Sequence, residues 1–171
     1  PQSWFVAPET KRLVAALTSE GAEVRFIGGC VRDSLMKSLV KEKSYQSVLK
    51  EQDIDIATPE SPETVVRLLE NAGIEVYNTG IKYGTISAHI SNMKFEITTL
   101  RRDIETNGRK AVVAFTNDWV VDAERRDFTI NALSVTLEGD LYDSFNGLSD
   151  LSRGLVRFIG VADERLTEDV L

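Results

Sequence analysis

Two short strings of this chain restrict its fold more than any other feature. The first covers residues 28–33 and begins with two glycines directly after the apolar residues 24–27. The second is the Asp-Ile-Asp string at residues 53–55. A glycine turn between a strand and a helix presents backbone N–H groups to an anion, and paired acids bind cations. Together the two strings predict a phosphate-binding turn beside a two-metal carboxylate site.

The Asp-Ile-Asp string predicts two carboxylates on one face of a strand. Successive side chains of a strand point to opposite faces, so Asp53 and Asp55 share one face while Ile54 and Ile56 point to a core. A shared divalent cation relieves the repulsion between the two acids, and Mg²⁺ fits best because it keeps open positions for substrate phosphates. Two solvated acids at a strand edge are the alternative, since a short motif alone is weakly specific.

Gly28 and Gly29 are predicted to form a tight turn between a strand at residues 24–27 and a helix at residues 30–39. Arg32 falls in the first turn of that helix, where the helix dipole disfavours a cation. This unfavourable position suggests that an anionic ligand compensates the charge. An ordinary turn without a ligand is the alternative interpretation.

Composition and charge narrow the class of protein. A chain of 171 residues is long enough for one domain with a sizeable core, or for one domain plus the beginning of another. The formal net charge of −7 argues against a basic nucleic-acid-binding surface, so a long RNA partner needs a local patch or a region outside this chain. The single cysteine excludes an internal disulfide, and the sequence shows no bilayer-length apolar run or secretory pattern. We therefore expect a cytoplasmic protein without a membrane partner.

Apolar periodicity and turn residues predict alternating helices and strands. Two predicted helices cover residues 8–20 and 30–39, and a third begins after the capping residue Ser61. The predicted strands cover residues 24–27, 54–57, 74–77, 85–90 and 94–100. The charged residues 37–52 are predicted to form a solvated excursion. Helices between strands predict an α/β fold with helices on one or both faces of a sheet.

The strand at residues 94–100 offers a third acid. Strand alternation places Glu96 on the same face as Thr98, where it is a candidate third carboxylate beside the metal, although a surface glutamate remains the alternative. The following residues 101–110 carry Asn-Gly near their end, and we expect them to be a mobile connector.

Residues 122–133 combine two arginines with polar side chains and are predicted to be helical in their second half. Asp127 and Asn131 then lie one helical turn apart on one face. Paired arginines can neutralise a triphosphate, and the Asp and Asn can hydrogen-bond a sugar. Solvated salt bridges are the alternative.

Several strings in this order resemble one family. They lie at residues 28–33, 53–55, 95–101, 115–119, 125–132 and 168–171. The chain resembles the N-terminal part of a class II CCA-adding enzyme, or tRNA nucleotidyltransferase, of the polymerase-β-like nucleotidyltransferase superfamily. The resemblance implies an α/β head with a mixed five-stranded sheet, followed by the start of a helical neck. It divides the chain into an N-terminal helical segment of the head (1–23), the nucleotidyltransferase head (24–150), and the end of the head with the beginning of the neck (151–171).

The resemblance also implies roles for individual residues. The triphosphate is held by Gly28, Gly29 and Arg32. The catalytic metal Mg²⁺ is bound by Asp53 and Asp55, with Glu96 as the third catalytic acid. Further nucleotide contacts come from Arg126, Asp127 and Asn131, with Arg125 as a weaker candidate. The family reads the base of CTP or ATP with an Asp and an Arg, of which Asp169 matches the first, whereas the second falls after residue 171.

The implied reaction is the addition of CCA to the 3′ end of tRNA from CTP and ATP, with release of pyrophosphate. The family grips tRNA mainly with a neck, body and tail that this chain lacks, so we expect a truncated form that is poorly active or inactive alone. The retained segment 102–110 corresponds to the family's flexible loop and favours full CCA addition over CC-only or A-only addition. Residues 37–52 are longer than the family's usual linker.

Three alternatives remain open. Bacterial poly(A) polymerases share this head, but residues 34–38 lack their Leu-Leu-Gly and basic pattern. A nucleotide-binding module without catalysis is the second alternative, although both acids and the glycine motif are intact. A structural or partner-binding domain is the third, and it predicts no response to nucleotides.

Overall fold

The computed structural model describes residues 2–39, 53–107 and 110–162. Most of the predicted charged excursion, the end of the predicted connector and Asp169 lie outside these ranges. Within the described part of the chain, no helix is long and apolar enough to cross a membrane.

Six α-helices and nine strands are present in the described ranges. The helices are α1 (Ser3–Val6), α2 (Pro8–Leu17), α3 (Gly29–Leu39), α4 (Pro62–Asn71), α5 (Trp119–Glu124) and α6 (Gly147–Ser152). The strands are β1 (Arg25–Ile27), β2 (Ile54–Thr58), β3 (Glu75–Gly80), β4 (Thr85–Ile90), β5 (Met93–Thr99), β6 (Arg101–Asn107), β7 (Lys110–Phe115), β8 (Ser134–Val135) and β9 (Leu141–Tyr142). The predicted elements are therefore present, with ends that differ by up to three residues.

Local signals explain why α4 begins and ends where it does. The Ser61 hydroxyl accepts a hydrogen bond from the Thr64 N–H at 3.3 Å, and Pro62 occupies the first helical position. Gly73 follows the helix with a φ of +64°, a conformation that glycine adopts without strain.

The main sheet has seven strands in the order β3-β4-β5-β2-β1-β8-β9. Strands β2 and β5 are parallel, and the other neighbouring pairs are antiparallel, so the sheet is mixed. The predicted α/β class and mixed sheet are confirmed. The implied number of five strands is wrong, because the short strands β8 and β9 extend the sheet beyond β1.

The hydrophobic core lies between one face of the central strands and the helices. Ile54 and Ile56 on β2 and Phe95 and Ile97 on β5 are at most 2% exposed and belong to one cluster with apolar residues of α2, α3 and α4. Alternation along β2 and β5 then directs Asp55 and Glu96 to the opposite face. The helices thus cover one face of the sheet, and the predicted acids lie on the other.

The predicted mobile connector at residues 101–110 is wrong for its described part. Strands β6 and β7 form a separate antiparallel pair, from Arg101↔Phe115 to Asn107↔Lys110. Asn-Gly between two runs with β-branched residues is a hairpin signal, which the connector interpretation overlooked. We refer to the strand pair β6 and β7 as the arm.

The predicted helix in the second half of residues 122–133 is also wrong. Helix α5 ends at Glu124, and only a short 3₁₀ turn (Thr129–Asn131) follows. Phe128 is extended, its N–H donates a hydrogen bond to the Asp127 carboxylate at 2.7 Å, and its backbone bridges to Phe158. Contacts with a distant segment therefore override the helical pattern.

Candidate active site

The glycine turn lies where β1 meets α3. Gly28 has a φ of +70°, which favours glycine. A Cβ atom placed on Gly28 would lie 3.6 Å from Asp55 Oδ2 and 3.8 Å from Arg126 Nη1. The predicted strand, turn and helix are therefore present, and the turn separates a carboxylate from a guanidinium group.

Cys30 supports this turn from inside the protein. Its thiol is 2% exposed and donates to the Ile27 carbonyl at 3.1 Å. Burial raises the pKa of Cys30 to about 12. The thiol is therefore neutral and serves as a packing group.

Arg32, Asn131 and Asp127 form a hydrogen-bonded chain. Arg32 Nη1 donates to Asn131 Oδ1 at 2.7 Å, and Asn131 Nδ2 donates to Asp127 Oδ1 at 3.0 Å. Arg32 Nε also donates to Asp33 at 2.8 Å, so Asp33 supplies the compensation that we had expected from an anionic ligand. Asp127 and Asn131 adjoin each other as predicted, although no α-helix joins them.

Asp122 is a site-adjacent residue that the sequence analysis did not single out. Its side chain is buried, and it accepts hydrogen bonds from Arg125 at 3.0 Å, from Arg126 at 3.0 Å and from the Arg101 N–H at 3.1 Å. Burial alone raises the pKa of Asp122, but the positive charges of Arg126 and Arg125 and these hydrogen bonds outweigh it and lower the pKa. The sequence did contain a signal for these ion pairs, because Asp122 precedes Arg125 by three residues and Arg126 by four, and side chains at these spacings lie side by side on a helix.

The predicted acids meet across two parallel strands. Asp55 on β2 is the register partner of Glu96 on β5, and Asp53 lies just before β2 with 63% of its side chain exposed. Burial raises the pKa of Asp55 to about 6, the charges of Glu96 and Asp53 add to the increase, and Arg126 opposes it. The three acids therefore repel one another and favour a shared cation.

Lys94 is the second neighbour that the sequence analysis missed. Its ammonium group lies 2.8 Å from Glu96 Oε1 and 3.5 Å from Asp53 Oδ1. The sequence did contain a signal for the ion pair with Glu96, because Lys94 and Glu96 are two residues apart on one strand and therefore share a face. The acids thus attract a cation from within the chain itself.

The donor atoms suit a divalent metal ion that prefers oxygen. Asp53, Asp55 and Glu96 offer only carboxylate oxygens, which Mg²⁺ and Ca²⁺ bind. Across residues 2–39, 53–107 and 110–162, no three acidic, histidine or cysteine side chains already stand together as a metal-binding group.

A family model described as the Poly A polymerase head domain matches residues 24–157. Among curated proteins, the chain is 44% identical over 162 residues to "CCA tRNA nucleotidyltransferase 1, mitochondrial" of Homo sapiens, covering 94% of this chain and 35% of that protein. It is 38% identical over 161 residues to "CCA-adding enzyme" of Oceanobacillus iheyensis, covering 93% of this chain and 36% of that protein. The chain thus spans about a third of the length of the curated relatives it matches.

Solved structures agree with this relationship. The "Bacillus stearothermophilus CCA-adding enzyme in complex with CTP" superposes with a TM-score of 0.76 at 28% identity, covering 96% of this chain and 37% of that one. A "tRNA nucleotidyltransferase complexed with a primer tRNA and an incoming ATP analog" gives 0.63 at 27% identity, covering 87% and 38%. The resemblance read from the sequence motifs is confirmed.

Proposed function

Because the chain belongs to the Poly A polymerase head domain family, we propose that it is the catalytic head of an enzyme that adds CCA to the 3′ end of tRNA from CTP and ATP. The relatives at 44% and 38% identity are named for this reaction. The observation that carries the proposal is the glycine turn, which faces Asp55 on one side and Arg126 on the other. A nucleoside triphosphate needs both groups, one to bind its metal and one to neutralise its phosphates.

The nucleotide-binding role is assigned to the turn and the basic side of the site. The turn at Gly28 and Gly29 offers room for phosphate oxygens next to backbone N–H groups. Arg32 and Arg126 neutralise phosphate charge, and guanidinium groups suit phosphate because they donate two parallel hydrogen bonds. Beside them lie Asp127 and Asn131, which we assign to the ribose.

The metal-binding role is assigned to Asp53 and Asp55, with Glu96 as the third catalytic acid. Family members generally use a divalent metal, and we propose Mg²⁺. When bound, Mg²⁺ supplies activation of the attacking hydroxyl and stabilisation of the leaving pyrophosphate. Burial raises the pKa of Asp55 to about 6 and repulsion from Glu96 and Asp53 adds to the increase, and a bound cation would relieve that repulsion.

Other assignments extend beyond the described residues. Asp169 is proposed to read the amino group shared by cytosine and adenine. We keep the division into segments 1–23, 24–150 and 151–171 as a proposal. The name of the human relative includes "mitochondrial", so the cytoplasmic location stays a prediction.

Poly(A) addition is the second candidate function, because the matching family model is described as a Poly A polymerase head. The two reactions share the chemistry of nucleotidyl transfer and differ in where addition stops. Residues 34–38 lack the basic pattern expected for the poly(A) enzymes, so we favour CCA addition.

The test uses the parts of the human relative that the match with this chain does not cover. In a head chimera, this chain replaces the matching segment of the human relative, and the product is incubated with Mg²⁺, CTP, ATP and tRNA transcripts that end before, within or after CCA. Addition that stops at CCA supports the proposal, and an unlimited A tail supports poly(A) polymerase.

Matched variants separate catalysis from folding. The Asp53→Asn and Asp55→Asn chimeras should lose activity, whereas Asp140→Asn, which changes an exposed acid between β8 and β9, should keep it. A folded but inactive chimera, together with Mg²⁺-dependent CTP binding by the chain, would instead indicate a binding module.

A further inference from the structure

We propose that Asp122 is a positioning residue that couples the arm to the nucleotide-binding arginine Arg126. The inference rests on the proposed function, because it assigns Arg126 to the phosphates of a bound nucleotide. It goes further because it states that the position of the arm affects phosphate binding, through the hydrogen bonds of the single buried carboxylate Asp122.

The first contact joins Asp122 to the base of the arm. The Arg101 N–H, at the first residue of β6, donates to Asp122 Oδ1 at 3.1 Å. Next to it, the Leu100 N–H donates to the Thr58 carbonyl at 2.8 Å, and the Thr116 N–H donates to the Leu100 carbonyl at 2.9 Å. Both ends of the arm are therefore attached at the end of the central strands, and Asp122 holds the point where β6 begins.

The second contact joins Asp122 to the glycine turn. Arg126 Nη2 donates to Asp122 Oδ2 at 3.0 Å, and Nη1 of the same guanidinium group faces Gly28. Arg125 Nη2 donates at 3.0 Å to the Asp122 oxygen that also accepts from Arg101. A shift of the arm thus changes the hydrogen bonds of the carboxylate that orients Arg126.

Charge makes this carboxylate difficult to replace. Arg101, Arg125 and Arg126 all interact electrostatically with Asp122, whose side chain is 6% exposed. Within the described residues, the buried Arg101 Nε has no hydrogen-bond partner. Three guanidinium groups thus interact with this one buried acid, and without its charge they would repel one another more strongly.

The helix that carries Asp122 is itself held firmly. Asp118 caps α5 by accepting from the Val120 N–H at 2.8 Å. Trp119 stacks on the Arg25 guanidinium group, which lies 4.0 Å from the ring centroid, and this ties α5 to β1. Asp122 therefore lies on a firmly packed helix, from which it contacts both the arm and Arg126.

The main test is a double-mutant cycle for CTP affinity, measured by calorimetry on the 171-residue chain with Mg²⁺. Asp122→Asn keeps the shape but removes the charge, and we expect CTP binding to weaken about tenfold, as for a lost charge-assisted hydrogen bond. In an Arg126→Ala background, the same substitution should cause no further loss. Additive effects, or unchanged affinity in Asp122→Asn, would overturn the positioning role.

Two further variants guard against a purely structural explanation. Asp122→Glu keeps the charge and should recover part of the affinity. Thr10→Val removes a buried hydrogen bond to the Trp4 carbonyl at the N-terminal helices and should lower stability without changing CTP affinity. If Thr10→Val weakened CTP binding as much as Asp122→Asn, the effect would be general destabilisation and the inference would fail.

The coupling to the arm is tested without nucleotide. Amide hydrogen exchange in β6 and β7 should be faster in Asp122→Asn than in the wild-type chain, and slower again in Asp122→Glu. Unchanged exchange in Asp122→Asn would overturn the coupling whether or not CTP binds. Failure of the wild-type chain to bind CTP would overturn the proposed nucleotide site instead, so the two failures are distinguishable.

Discussion

The two sides of the candidate site are built in opposite ways. On the basic side, Arg32 and Arg126 each donate to a side-chain oxygen, at 2.7 Å and 3.0 Å. On the acidic side, Asp55 faces the negative charges of Glu96 and Asp53, and its pKa rises to about 6. The basic side is oriented by the protein's own oxygen atoms, whereas like charges face each other on the acidic side.

This difference has a physical reason. Arginines stay charged and keep their geometry if a buried acid such as Asp122 pairs with them. Carboxylates that must bind a metal cannot all be neutralised by the protein, because a fixed partner would compete with the ion. The acidic side therefore reduces the stability of the free protein, and the basic side adds to it.

The largest effect is expected from a substitution on the acidic side. In Asp55→Asn, the head chimera should lose at least about 100-fold in turnover, because the metal loses a ligand. The same substitution should raise the free energy of unfolding of the chain by about 1 kcal/mol, because it removes a partly buried and repelled charge. Activity assays of the chimera check the predicted loss of turnover, and urea unfolding of the chain checks the predicted gain in stability. A loss of stability would contradict the comparison.

A smaller effect is expected when the basic side is broken. In Arg32→Met, CTP affinity should fall about tenfold, and the free energy of unfolding should also fall, by about 1 kcal/mol, because Asn131 loses its donor. Arg67→Met is the matched control, since Arg67 pairs with Glu20 at the surface at 2.6 Å. Calorimetry should show CTP binding unchanged in the control, and a stabilised Arg32→Met chain would contradict the comparison.

The pH dependence of stability sharpens the contrast. Asp55 has a higher pKa in the folded chain, about 6, than its ordinary value of 3.8, so the folded chain binds more protons between these values. The contribution of Asp55 to stability is therefore lost as the pH rises from about 4 to above 6. Urea unfolding should show that the advantage of Asp55→Asn over wild type is larger at neutral pH than near pH 4, and an equal advantage at both would contradict the assignment.

The smallest effect concerns Lys94. Lys94→Met removes a cation that pairs with Glu96 and Asp53, so Mn²⁺ used as a probe should bind about two- to fivefold more tightly. Lys82→Met, in the exposed turn before β4, should leave Mn²⁺ affinity unchanged. Electron paramagnetic resonance of Mn²⁺ gives both affinities, and weaker binding in Lys94→Met would show that Lys94 orients the acids instead of competing for them.

Local patterns predicted much of this molecule. The glycine turn, the capped helix α4 and the alternation of Asp55 with buried isoleucines each depend on neighbours within a few residues. The arm was overlooked although Asn-Gly signalled it, and the helix expected beyond Asp127 is absent because Phe128 pairs with Phe158 from a distant segment. The contact of Asp122 with Arg101 and that of Lys94 with Asp53 join separate elements, and no local pattern specifies them.

The sequence by itself determined the α/β class, the order of the motifs, the family and the candidate residues, because periodicity and motif spacing are local properties of the chain. Only the tertiary structure decided that β8 and β9 extend the sheet, that Asp55 lies beside Glu96, and that Asp122 joins the arm to Arg126. These arrangements depend on strand order and packing, which bring together residues that are far apart in the chain. The charges that face each other, and therefore the pKa of Asp55, follow from that packing.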